Sequence, residues 1–297
     1  MMPAHEAAGR QASRRLRRVQ LAPITDADVA DVAEFLHVHH NSRVPWRLAF
    51  SAVPWSVQAP NHGFLLRDAG RVVGTLLALY SERLVAGRTE RFCNLGSWCV
   101  LPDYRSSSLS LLDALLAQEE FHFTVLSPNE GSQEILAWLK FRPMNSSAVV
   151  VPHLPLPTPG RTLVVDYPPS IEKLLAPADL VLYRDHVRAS AARHLVIVRE
   201  ARSCYVMYRE SRHTSGARLA VLLRVSDPDV FHQALIPLTR HLLLRHGLVA
   251  TIADLPLITR KPRLAITVQR RPRMYRSATL SPEQIDELYS ELVCVPL

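Results

Sequence analysis

Apolar positions recur along this chain in two periods, and the way the periods alternate predicts an α/β architecture. Residues 19–25, VQLAPIT, read as a short strand. Thr25 or Asp26 then caps a helix whose apolar positions Val29, Val32, Ala33 and Leu36 share one face. Three strands are expected at 63–67, 71–81 and 88–100. Asp68-Ala69-Gly70 and Ala86-Gly87 supply the turn residues of an antiparallel meander between them. Pro102 breaks the third strand's ladder. A run of small polar residues follows, and Leu109, Leu112, Leu115 and Leu116 then resume a helical repeat. Another strand is expected at 121–129, and a helix within GSQEILAWLKFRPM, residues 131–144, that ends as a further strand begins.

The segment between the first helix and the meander holds Pro45, Pro54 and Pro60, too many prolines for one long helix. Its Trp46, Phe50 and Trp55 read first as a packed cover of the core. The functional alternative makes them the wall of an acyl or acceptor pocket.

A proline-rich stretch, with Pro152, Pro155, Pro157 and Pro159, reads as an extended linker, and beyond it the order of strands and helices begins again. Residues 194–257 can be laid beside 64–128, each with strand, turn, strand, turn, strand, helix and strand. At the turn before the helix the second copy reads Ser226-Asp227-Pro228-Asp229, where two carboxylates would repel an anion. Arg270, Arg271, Arg273 and Arg276 then precede an expected C-terminal helix over 281–292, capped by Ser281 with Pro282 and Glu283 in its first turn. The expected organisation is therefore a basic arm (1–18), a first unit (19–150), a linker (151–162) and a second unit (163–297). Each unit is α/β (α+β), with a mixed, mostly antiparallel sheet flanked by helices.

Composition narrows the functional classes. The 297 residues are 48% hydrophobic and carry a net charge of +8, which favours an anionic partner without choosing among phosphorylated cofactors, acidic carrier proteins, lipids and nucleic acids. Arg10, Arg14, Arg15, Arg17 and Arg18 concentrate charge in the arm. No aromatic residue interleaves with them to stack on bases, so no specific nucleic acid is expected. Cys93, Cys99, Cys204 and Cys294 have no zinc or disulfide spacing, and His37, His39 and His40 lack a further ligand set, so no metal is expected. No run of about 18 apolar residues occurs, and a cytoplasmic setting is expected.

Residues 19–150 resemble the GNAT acyltransferase superfamily. The likeness lies in the order of elements and in Val100-Leu101-Pro102-Asp103-Tyr104-Arg105, which stands where that family has Val-x-Pro-x-Tyr-Arg at the end of its fourth strand. The resemblance puts the family's pyrophosphate loop on Arg105, Ser106, Ser107, Ser108, Leu109 and Ser110, with Asn129 opposite and a backbone N–H donor near Val100. Ser108 and Ser110 stand where the family prefers glycine. Its usual tyrosine acid falls on Leu136 and another usual glycine on Lys140.

What the resemblance implies is transfer of an acyl group from acetyl-CoA, or a longer acyl-CoA, to the amine of a small acceptor such as an amino sugar or amino acid. An acidic acyl carrier protein could replace CoA as donor. For the base, Glu90 and Glu82 lie on meander strands, while Asn94 and Ser97 sit nearer the loop and could hold a relay water. Cys93 and Cys99 read as small buried strand residues rather than nucleophiles. Two other classes stay open: a catalytically silent GNAT-like binding protein, and a basic nucleic-acid or membrane-surface protein.

Overall fold

The computed structural model describes residues 19–51, 53–158 and 160–296; the expected basic arm lies outside them. In the first half the chain runs β1 (Gln20–Pro23), α1 (Val29–His39), α2 (Trp46–Ser51), β2 (Gly63–Asp68), β3 (Arg71–Val85), β4 (Arg88–Val100), α3 (Ser108–Leu116), β5 (His122–Val125), α4 (Glu130–Trp138) and β6 (Arg142–Pro143). It continues through β7 (Ser147–Pro152), β8 (Thr162–Val165), α5 (Pro168–Leu174), α6 (Pro177–His186), β9 (Ala192–Arg199), β10 (Arg202–Arg212), β11 (Arg218–Val225), α7 (Pro228–Gln233), α8 (Leu235–His246), β12 (Ala250–Asp254), α9 (Leu255–Ile258), β13 (Ile266–Gln269), β14 (Met274–Arg276) and α10 (Glu291–Cys294).

The turn residues act as their chemistry dictates. Ala69 and Gly70 join β2 to β3 at φ 48° and 81°, and Ala86 and Gly87 join β3 to β4 at 48° and 82°. Two consecutive positive φ values match the twist of an antiparallel hairpin.

The strands form two seven-stranded sheets, β1-β2-β3-β4-β5-β14-β6 and β8-β9-β10-β11-β12-β7-β13. The orders are equivalent position by position. In each, only the fourth and fifth strands run parallel, β4 with β5 and β11 with β12. In each, the sixth strand comes from the other half: β14 lies between β5 and β6, and β7 between β12 and β13. Ser147–Pro152, which the sequence reading divides between the first unit and the linker, thus pairs wholly within the second sheet.

Strand β3 shows why both faces of the sheet are buried. Leu76, Ala78 and Tyr80 pack with Leu111, Leu112 and Leu115 of α3, while Leu77 and Leu79 face a core that also holds Tyr205 and Met207 of β10. A strand covered on both faces carries a continuous apolar run rather than an alternation. The shared core between the sheets also takes in Trp46, Phe50 and Trp55, which are buried. Trp55 Nε1 donates to the Tyr80 carbonyl at 2.8 Å. These three rings are core, and the idea that they line an acyl channel is set aside.

The C-terminal segment is the main departure from expectation. Ser281 forms its capping box with Gln284, but the helix stops after Pro282–Gln284, and only Glu291–Cys294 is helical again. The chain is instead drawn between the halves. Arg83 of β3 donates to Asp286 Oδ1 at 2.8 Å, the Ala191 N–H donates to Val293 O at 3.0 Å, and Ser190 Oγ donates to Cys294 O at 2.5 Å. Leu288, Leu292 and Val293 complete the shared core. Tertiary burial overrides the local helical preference here.

Candidate active site

Strands β4 and β5 pair only over Phe92–Asn94 and His122–Thr124, and then part. Beyond that point lies a cleft of about 480 Å³, lined on one side by Gly96, Ser97, Trp98 and Val100 and on the other by Val125, Ser127, Pro128 and Asn129. Leu76, Leu95, Leu112, Ile135 and Leu136 give it an apolar floor, and Arg105 and Ser108 stand on it as well.

A bulge shapes the β4 wall. Thr75 opposes Cys99 and Leu77 opposes Gly96, so Ser97 and Trp98 together face Leu76, with Ser97 held at φ 50°. The extra residue of a bulge drops out of the ladder and leaves backbone groups free to meet a ligand. Trp98 adds a buried indole N–H with no hydrogen-bond partner among the described residues. Both features offer donors to a carbonyl oxygen in the cleft.

At the mouth, Pro102–Ser107 forms a short 3-10 helix that runs into α3. No side chain caps α3, and the Ser108 N–H bonds to the Arg105 carbonyl across the 3-10 segment, so what this helix start offers an anion is its positive dipole end. Arg105 is exposed, and its side chain makes no ion pair or hydrogen bond among the described residues. Ser108 has φ −60°, so the serine there is unstrained and glycine is not required. Ser110 Oγ donates to Ser107 O at 2.7 Å and tightens the turn. Ser106, Ser107, Leu109 and Ser110 thus build the turn, whereas Arg105 and Ser108 line the cleft. Asn129 lines it too and caps α4 by accepting from the Ser132 N–H at 2.8 Å.

The candidate bases separate. Glu90 lies six residues before Gly96, about 20 Å back along the strand. Its Oε2 is 3.1 Å from His122 Nε2, and His122 Nδ1 is in turn 2.9 Å from Ser277 Oγ. Glu82 pairs with Arg91 across the exposed end of the meander. Neither carboxylate lines the cleft, because the meander runs away from the splay. Asn94 is fully buried: its Nδ2 donates to Thr124 Oγ1 at 3.1 Å, and its Oδ1 accepts the Glu291 N–H at 2.9 Å. Asn94 therefore positions a neighbour rather than meeting substrate. Burial pushes both Cys93 and Cys99 thiols up, against nucleophilic use.

The group that sequence reasoning missed is Glu291. It is 4% exposed, at the start of α10, against Gly96 of the bulged strand. Its Oε1 accepts from Ser127 Oγ at 3.0 Å, and its Oε2 has no partner among the described residues. Burial pushes its pKa up to about 7, against its own backbone bond, the bonds from Ser127 and Asn94 and the charge of Arg209. Glu287 next to it is likewise raised to about 7 by burial, opposed by its ion pair with Arg273. A carboxyl that titrates near neutrality behind a cleft hydroxyl can take a proton through that hydroxyl. The available signal was a lone glutamate inside the run 288–295, which lies largely within the helix expected over 281–292. His40 also faces the cleft, and burial lowers its pKa.

In the second half the corresponding helix start is occupied by a side chain. Asp227 caps α7 with its own carboxylate, accepting from the N–H groups of Asp229 and Val230 at 3.1 Å each, and pairs with Arg202 at 2.6 Å. Burial alone would raise its pKa, but those amides and Arg202 hold it below the usual carboxylate range.

No protein-family model matches the sequence, and no curated protein matches it. Solved structures do match. A GCN5-related N-acetyltransferase from Anabaena variabilis is 13% identical, with 87% of this chain and 72% of that one covered and a TM-score of 0.56. A candidate acetyltransferase from Pyrococcus horikoshii is 14% identical, with 97% of both chains covered and a TM-score of 0.53. Saccharomyces cerevisiae N-myristoyltransferase, solved with myristoyl-CoA and inhibitors bound, is 10% identical, with 95% of this chain and 87% of that one covered and a TM-score of 0.53. The fold of this chain is that of the GNAT acyltransferases in a two-unit arrangement.

Proposed function

We propose that the chain is an acyl-CoA-dependent N-acyltransferase whose first half binds the thioester and whose C-terminal segment supplies the base. The cleft at the β4–β5 splay carries this reading: it joins an uncapped helix start and a free arginine at one end to a bulged strand and a buried carboxyl at the other. The diphosphate of acetyl-CoA or a longer acyl-CoA would lie on the first turn of α3 beside Arg105, with the thioester arm between Trp98 and Asn129. The myristoyl-CoA bound in the yeast neighbour supports a CoA thioester as donor.

The acceptor is a small-molecule amine of the amino-sugar or amino-acid class. Ser127 Oγ takes the amine proton as it passes its own to Glu291 Oε1, and the freed lone pair attacks the carbonyl carbon. The carbon–sulfur bond breaks, and the thiolate leaves to be protonated. N–H groups of the bulge and of Trp98 stabilise the carbonyl oxygen as charge builds on it.

The direct test is a thermal-shift titration with CoA, acetyl-CoA and longer acyl-CoAs, followed by thiol release across an amine panel. Ligand binding raises the melting temperature by mass action; no shift with any of these ligands at millimolar concentration rejects the reading. Leu136, at the place of the family's tyrosine acid, favours a second reading, a CoA-binding protein without turnover. CoA binding with no thiol release across the panel would select it.

A further inference from the structure

We propose that Asp166, His241 and His246 form a site for one zinc ion that fastens the edge of the second sheet to helix α8. Asp166 directly follows the edge strand β8, while His241 and His246 stand near the end of α8. Seventy-five residues separate the aspartate from the nearer histidine, so spacing along the chain hides the group. One ligand atom from each residue lies within 4.8 Å of the other two. Asp166 Oδ2 is 3.1 Å from His241 Nε2 and 2.9 Å from His246 Nε2, and the two imidazole rings are 5.4 Å apart between centroids. Zinc bonds of about 2.0–2.1 Å in a tetrahedron set neighbouring ligand atoms about 3.3 Å apart. Small ring rotations suffice to reach that geometry.

The chemistry of the donors fits as well. Two neutral imidazoles and a carboxylate suit a divalent transition ion, and zinc most readily. All three side chains are partly buried, so less water competes for the ion. His241 also lines an open cleft of about 610 Å³, from which a water or an exogenous group can reach the ion as a fourth ligand.

Arg245 Nε stands 3.2 Å from the same Asp166 oxygen and opposes a second cation there. Its side chain is 68% exposed and free to turn outward. That arginine therefore sets how tightly the ion binds. Of the other histidine group, His39 packs on Phe35 at 5.0 Å and His40 on Trp46 at 5.5 Å.

Full-length protein, stripped with a chelator and titrated with zinc chloride, is expected to take up one ion per chain by elemental analysis. Its melting temperature should rise by about 3 °C or more once zinc is in hundredfold excess over its Kd. Cobalt(II) should show the visible bands of four-coordinate nitrogen and oxygen ligation. Asp166→Asn and His246→Gln should each lose the stoichiometric ion and the shift, while a His37→Gln/His39→Gln control keeps both. Arg245→Ala retains every ligand and should bind zinc several-fold more tightly, which decides the matter even if a ligand variant misfolds. The proposal is overturned by absence of stoichiometric zinc, by binding that survives His246→Gln and Asp166→Asn, or by an Arg245→Ala variant that binds no tighter.

Discussion

The two halves share a strand order and differ at one helix start. In the first, α3 begins without a side-chain cap at the mouth of the β4–β5 cleft. In the second, Asp227 sits on the first turn of α7 and fills with its own carboxylate the place an anion would take. A helix N-terminus is a generic anion site, so a duplicated fold carries two of them unless one is closed. Closing it with a capping aspartate contributes roughly 1 kcal/mol of stability and removes a competing phosphate site. The reciprocal exchange of β7 and β14 then ties the closed half to the open one and delivers the C-terminal segment, with Glu291, to the open half's cleft. On the proposed reading, the second half serves the first by positioning a base.

The largest expected effect breaks the comparison at its shared residue. Glu291→Gln should lower kcat by about a hundredfold or more, the range for losing a general base. In the parent, kcat/KM should rise with pH up to about 7 and then level, as Glu291 loses its proton; in the variant that limb should vanish. Stability should move the other way. A carboxyl raised from its ordinary value of 4.5 to about 7 binds more protons folded than unfolded. Its contribution is therefore full below about 4.5 and lost as pH rises through 7, a loss that Glu291→Gln abolishes. A parent-like limb in Glu291→Gln, with the limb lost instead in His40→Gln, would move the base to His40.

Next in size, Arg105→Glu should weaken CoA binding about tenfold or more by setting a negative charge beside the diphosphate. The matching change in the other half, Asp227→Ala, should leave CoA affinity unchanged and cost about 1 kcal/mol in denaturant unfolding. CoA binding lost in the second variant and kept in the first would exchange the roles assigned to the halves.

How far these features can be read from sequence depends on how local their causes are. The first meander was legible because Asp68-Ala69-Gly70 and Ala86-Gly87 encode their own turns. The degenerate second loop was legible in Asp227, although its action as a cap rather than simple repulsion appears only in the structure. Strand exchange was not legible, since the pairing of β14 with β5 depends on partners some 150 residues away in the chain. The same holds for Glu291: the sequence reading gave it to a long helix, and only contacts with Asn94, Gly96 and Ser127 make it a buried acid. The family likeness pointed to the β4 end of the cleft and to Glu90, whose strand carries it the wrong way.

The smallest expected effect concerns a feature the halves have in common. After α4 the chain turns at Lys140, φ 67°, and after α9, at the equivalent place in the other sheet, it turns at Thr259, φ 62°. Both are left-handed positions, which cost an L-residue about 1–2 kcal/mol and cost glycine almost nothing. Glycine also gives the unfolded chain more freedom, which returns roughly 0.5–1 kcal/mol of that gain. Lys140→Gly should therefore stabilise by about 0.5–1 kcal/mol. Thr259 is β-branched and more strained at positive φ, but its Oγ1 donates to Ile258 O at 2.7 Å, a bond that glycine forfeits. Thr259→Gly should then gain no more than Lys140→Gly, despite its greater backbone strain. Paired urea unfolding of the two variants measures the difference; a clearly larger gain at Thr259 would mean that the hydroxyl bond contributes little and that strain alone sets these two helix ends.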